Sequence, residues 1–170
     1  GMGAVYKARQ PGLDRLVEVK ILPAAISQTP GFAQRFAREG RALARLSHPN
    51  IVTVYDSGEQ GGLYYFIMEY VDGTNLRQMT QAGHLEPQQA IAIVPQVCEA
   101  LNFAHENGIV HRDIKAENIL VDKQGRVKIA DFGLAKLAAG EDDLPDTSRN
   151  LTLTGTHQIM GTPRYMAPEQ

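Results

Sequence analysis

The spacing of apolar and polar positions changes several times along the chain, and each change marks an element. Residues 16–22, Leu16-Val17-Glu18-Val19-Lys20-Ile21-Leu22, are β-branched and alternating, the pattern of a half-buried strand. With a period of two, Glu18 and Lys20 project on the same side. Residues 32–46 switch to a helical period. Phe32, Phe36, Leu43 and Leu46 form one stripe, and Arg35, Glu39 and Leu43 follow one another at i+4. His48-Pro49-Asn50 breaks that helix, and His48 is expected to be structural. Residues 51–55 and 63–71 read as two further strands, the second ending at Asp72-Gly73. Residues 87–107 predict a long helix, with Pro87 in its first turn and Gly108 just past its end. Ile91, Val94, Cys98, Leu101 and His105 share one face, so Cys98 and His105 are read as packed. Pro95 lacks the N–H that a helix interior requires, which predicts a kink or a late start. Residues 119–121 and 126–129 are short strands around a turn at 122–125. Beyond residue 138 the periodicity fades into a polar run, Gly140-Glu141-Asp142-Asp143 and then several threonines, which reads as a loop.

Composition narrows the class. A chain of 170 residues can bury the core of one ordinary domain, and 43% hydrophobic with 21% charged residues is a globular balance. The net charge of −2 gives no electrostatic case for nucleic acid or for a membrane surface. The single cysteine, Cys98, rules out an internal disulfide and suits a reducing compartment. No apolar run is long enough to span a bilayer, so this segment is expected to make no membrane contact.

The chemistry concentrates in His111-Arg112-Asp113-Ile114-Lys115-Ala116-Glu117-Asn118, followed by Asp131-Phe132-Gly133. Phosphoryl transfer needs an acid to orient the attacking hydroxyl, a cation on the moving group and oxygen ligands for Mg²⁺. Asp113, Lys115, and the pair Asn118 and Asp131 are the residue types for those roles. Their spacing resembles the catalytic and magnesium loops of the protein kinase family.

The resemblance extends along nearly the whole chain and implies an α+β, bilobal fold: a small antiparallel β lobe and a mainly helical lobe, truncated at both ends. Residues 1–71 would be a partial N-lobe and residues 72–170 a partial C-lobe. Gly1-Met2-Gly3-Ala4-Val5 is similar to the end of a glycine-rich phosphate loop, with Gly1, Gly3 and Val5 near the nucleotide. Lys20 falls at the phosphate-anchoring lysine, and Glu39 at the glutamate that pairs with it. Met68 would be the gatekeeper, backbone groups of Glu69 and Val71 would bond adenine, and Leu120 would be the floor beneath it. The resemblance also implies ATP and Mg²⁺, a protein substrate with a Ser or Thr hydroxyl, and self-association for autophosphorylation. Lys115 and Gly161-Thr162 favour the Ser/Thr branch, and the chain looks like a bacterial eukaryotic-like member. Arg112, Arg35 and Lys136 would gather a phosphate placed on Thr154 or Thr156 of the activation segment.

Two departures stand out. Ala116 replaces a usual proline, and Glu18 replaces the alanine expected against adenine. A carboxylate there motivates a second reading, a nucleotide-binding module without turnover. A small-molecule kinase of the same ancestry is a third, disfavoured by the segment from Gly161 to Glu169. Because the resemblance also places several helices beyond Glu169, the 170-residue chain alone is expected to fold poorly and to be inactive.

Overall fold

The computed structural model describes residues 3–133 and Leu137. Two antiparallel sheets form the frame. The first has four strands: β1 (Ala4–Gln10), β2 (Arg15–Ile21), β3 (Val54–Gln60) and β4 (Leu63–Glu69), ordered β1-β2-β4-β3. The second has three: β5 (Gly73–Asn75), β6 (Ile119–Asp122) and β7 (Val127–Ile129). The helices are α1 (Ala24–Ser27), α2 (Phe32–Leu43), α3 (Leu76–Gln81) and α4 (Pro87–Glu106). The α+β class read from the sequence is the class observed.

The apolar stripe of α2 does what its period requires. Phe32 and Phe36 meet Tyr64 edge-on at 4.8 and 4.9 Å, and Phe36 also packs on Phe66 at 4.9 Å. Burying each such side chain contributes about 1.5–3 kcal/mol. Gly40 permits close approach, since a Cβ there would stand 2.7 Å from Ser57 Oγ on β3. One buried cluster runs from Phe36 and Phe66 through Ile51 and Phe132 to Ile129, Ala100 and Ala104, so both sheets share a core.

A seam of hydrogen bonds joins the sheets. The predicted strand at 51–55 is only partly one. Ile51 forms an isolated parallel bridge to Ile129, and β3 begins at Val54. The Val52 N–H donates to Ile129 O at 2.9 Å, and the Ile129 N–H donates to Asn50 O at 2.8 Å. Asn50 Nδ2 adds a bond to Val127 O at 2.8 Å. His48 is structural as expected: its Nδ1 accepts from the Asn50 N–H, and its ring lies against Phe103.

The face of α4 differs from the expectation. Ile91 and Val94 are 72% and 57% exposed, and Cys98 and His105 are exposed too, whereas Ile93, Ala100 and Ala104 are buried. The helix is apolar on more than one side, and the small alanines form the side that approaches the core closely. Nor does Pro95 delay the start, because α4 runs unbroken from Pro87. Pro95 lies on the exposed side, where a carbonyl without its partner costs least. Among the described residues no helix is long and apolar enough to cross a membrane.

Candidate active site

Lys20 reaches the site from β2, where alternation turns it inward with Glu18. It is 5% exposed, and its Nζ meets Asp131 Oδ1 at 2.6 Å, across 111 positions of sequence. The expected ion pair with Glu39 is replaced by this one. Glu39 is buried on α2, 3.5 Å from Arg38 Nε. Its Oε2 lies 3.8 Å from the place of a Cβ on Gly133, so the carboxylate faces the turn after Asp131. Asp131 holds a left-handed backbone, φ 65°, and Arg112 does the same at φ 66°. Non-glycine residues take up such angles only where the surroundings fix them.

The surroundings here centre on His111, a residue to which the sequence pattern assigned no role. His111 is 2% exposed, and its ring packs edge-on against Phe132 at 4.6 Å. The Asp113 N–H donates to His111 Nδ1 at 3.3 Å, so Nε2 carries the proton and donates to Ala130 O at 2.9 Å. Burial holds the imidazole below its ordinary range, opposed by the bond to Ala130 and by the charges of Asp131 and Asp113. One neutral ring thereby ties the residue before Asp131 to the backbone of Asp113. A second tie runs through Asn118. Its Nδ2 donates to Asp113 O at 2.9 Å, and its carbonyl accepts from the Ala130 N–H at 2.8 Å. Asp113 Oδ2 receives Lys115 Nζ at 2.5 Å.

The donor set suits Mg²⁺. With Nδ2 committed to Asp113 O, the Asn118 side chain has Oδ1 to offer, and Asp131 has its second carboxylate oxygen. Both are hard oxygens, and Mg²⁺ commonly takes one or two such protein ligands beside phosphate and water.

At the opposite wall Met68 is buried and Leu120 half-buried. Behind Met68 lies an apolar cavity walled by Phe66, Ile51, Leu43 and Phe132, with Asp131 as its polar lining. The Glu69 N–H donates to Thr53 O at 2.9 Å, so it is not free to donate to a ring in this cleft. The Glu69 side chain does unforeseen work. It accepts from Lys128 Nζ on β7 at 2.9 Å and from the Thr53 N–H at 3.2 Å. Lys128 had only its place between the apolar Val127 and Ile129 to mark it.

Gly3 stands at the cleft end of β1 with φ 99°, and a Cβ there would fall 2.0 Å from Ile21 O, so only glycine fits. Val5 is half exposed on the same strand. The expected position of Arg35 is corrected. Its guanidinium is buried and donates to Pro30 O at 2.7 Å and Thr29 Oγ1 at 2.8 Å, so it is engaged by the loop before α2. Gly1, Lys136, Thr154 and Thr156 lie outside the described residues.

A family model described as Protein kinase domain matches residues 1–170. The chain belongs to the protein kinase family. Serine/threonine-protein kinase PknB of Mycobacterium leprae (strain TN) is 45% identical over 175 residues, covering 100% of this chain and 27% of that protein. Serine/threonine-protein kinase PrkC of Bacillus subtilis (strain 168) is 42% identical over 171 residues, covering 100% of this chain and 25% of that protein. Among solved structures, the Mycobacterium tuberculosis PknI kinase domain is similar at a TM-score of 0.71 and 37% identity, covering 78% of this chain and 53% of that one. The chain spans about a quarter of the length of the curated relatives it matches.

Proposed function

We propose that this chain is the catalytic part of a Ser/Thr protein kinase of the cytoplasm, which moves the γ-phosphoryl group of ATP to a protein Ser or Thr hydroxyl. The carrying observation is the convergence of Lys20, Asp131, Asn118 and Asp113, drawn from three separate segments into one bonded group. Asp113 would orient the hydroxyl and accept its proton, with Lys115 beside it to neutralise the transferring group. Lys20 would bind phosphate oxygens, and Glu39, facing Gly133, would support the turn that carries Asp131. Asn118 and Asp131 would hold Mg²⁺, which when bound neutralises charge on the phosphates. The adenine would lie between Met68 and Leu120, against Val5, with backbone groups of Glu69 and Val71 at its edge and Gly1 and Gly3 near the phosphates. Residues 1–71 would form the nucleotide-gripping lobe and residues 72–170 the substrate lobe.

Control by phosphorylation of Thr154 or Thr156, read by Arg112 and Lys136 and achieved by self-association, belongs to the same proposal. Arg35 does not, since Thr29 and Pro30 occupy it. Glu18 is the observation that favours the second reading, a binding module without turnover. Incubating the full-length protein with radiolabelled Mg²⁺-ATP and a generic protein acceptor decides between them. Phosphoserine or phosphothreonine, lost in Asp113→Asn, is the expected result. Nucleotide bound without transfer, or transfer to small molecules alone, would overturn the proposal.

A further inference from the structure

Glu18 is the charged residue of the cleft that the proposed chemistry leaves without a role, and any role assigned to it rests on that kinase reading. Strand register fixes its place: Lys7 of β1 lies opposite on one side and Met68 of β4 on the other. Residues two apart on a strand share a face, so Glu18 lies on the face that bears Lys20, and its directly opposite partners Lys7 and Met68 lie on that face too. It is half-buried, yet among the described residues its carboxylate has no hydrogen bond or ion pair. The neighbouring cations are engaged elsewhere. Lys20 is held by Asp131 at 2.6 Å. Lys7 donates to Tyr70 Oη at 3.1 Å, with its ammonium 4.2 Å from the Tyr70 ring centroid. Burial raises the Glu18 carboxyl above its ordinary range, the Asp131 charge adds to this, and Lys20 opposes it. The cleft therefore sets two carboxylates around one ammonium before any ligand arrives.

We propose that Glu18 is a specificity-determining residue that makes this cleft select the metal-complexed nucleotide over the metal-free one. A metal-free triphosphate carries more negative charge than its Mg²⁺ complex, by the charge of the ion. Both meet the same carboxylates, so the free form suffers the larger repulsion. At the separations of a shared cleft and an intermediate dielectric, one extra carboxylate changes the ratio of the two affinities by about tenfold. An alanine at this position would grip the phosphates with less regard for the metal. Glu18 thus trades affinity for a requirement that the nucleotide arrive in its reactive, metal-bound form.

The test is calorimetric titration of the full-length protein with ATP, once in excess chelator and once in saturating Mg²⁺. Wild type, Glu18→Gln, Glu18→Ala and Glu18→Asp are compared. Glu18→Gln and Glu18→Ala are expected to tighten metal-free binding about tenfold more than metal-complexed binding, an effect that shrinks in high salt. Glu18→Asp keeps the charge and is expected to keep the wild-type ratio. An unchanged ratio in the neutral variants, as for a merely solvated carboxylate, would overturn the inference while leaving the kinase reading intact. Wild type that binds neither form would overturn the kinase reading and this inference together.

Discussion

Lys20 and Asp131, one from β2 of the first sheet and the other from the turn beyond β7, meet at 2.6 Å, with Lys20 almost fully enclosed. The contact spans the cleft and neutralises the carboxylate before any cation enters. On the proposed reading, Lys20 would leave this pair for phosphate and Asp131 would be left to help hold the metal. Lys20→Met is expected to lower turnover by about 10²–10³, the usual cost of one preorganised charge partner. Its stability is expected to change by less than about 2 kcal/mol, since the Asp131 side chain, 27% exposed, can rehydrate. Steady-state kinetics with a denaturation curve checks both. Wild-type turnover would place the phosphate contact elsewhere.

Asp113 and Asp131 should fail differently. Asp113→Asn is expected to reduce turnover about 10²–10⁴-fold with Mg²⁺-ATP affinity intact, as loss of a general base does. Asp131→Asn is expected to weaken the Mg²⁺-dependent part of nucleotide binding itself. Titration calorimetry beside a transfer assay separates the two, and equal binding defects in both variants would reverse the assigned roles.

The pair of Lys128 and Glu69 is expected to be structural. Both are largely covered, with side-chain exposures of 13% and 23%, and together they link β7 to the end of β4. Lys128→Met should cost about 1.5–3 kcal/mol, the range for a hydrogen bond to a charged partner. A cycle with Glu69→Gln should show coupling above about 0.5 kcal/mol. Additive urea midpoints would mean that the two residues act independently.

His111 supplies a pH dependence. Its imidazole is held below the ordinary value near 6.5, so just below that pH the unfolded chain binds a proton that the folded chain refuses. Stability therefore rises with pH in that window; the contribution is complete above about pH 6.5 and is lost as pH falls through the folded value. Glu18, whose carboxyl is raised, acts with the opposite sign above the ordinary carboxylate value, so the comparison must be between variants. Between about pH 7.5 and 5.5 the parent is expected to lose stability more steeply than His111→Gln. Parallel profiles would show that His111 does not couple protonation to folding.

Much of this was legible in the chain itself. Period two placed Glu18 beside Lys20, and period 3.6 placed Phe32, Phe36 and Leu43 in the core. The spacing of Asp113, Asn118 and Asp131 marked the site, because chemistry constrains residue type and interval together. The α4 face was misread because an apolar stripe tells which residues could be buried, not which are. Ile91 and Cys98 fit the pattern as well as Ile93 and Ala100 do, and only packing chose between them. The partners of Lys20, Arg35 and Lys128 were beyond reach for a different reason. A long cationic side chain chooses among acceptors brought together by tertiary folding, and nothing adjacent in sequence announces which one wins.

The seam between the sheets has a mechanical consequence. The crossings at Asn50–Val52 and at Glu69–Lys128 lie along one line between the two sheets, and a turn of one sheet on the other about that line would disturb these bonds least. In the order β1-β2-β4-β3, the outer strand β1 lies two strands from β4, about 10 Å at the usual strand spacing. A rotation of about 10° about such a line would swing β1 through about 1.7 Å, enough to gain or lose contact with a phosphate, while the seam itself hardly shifts. The sheet is a lever whose short arm is hydrogen-bonded in place and whose long arm carries Gly3.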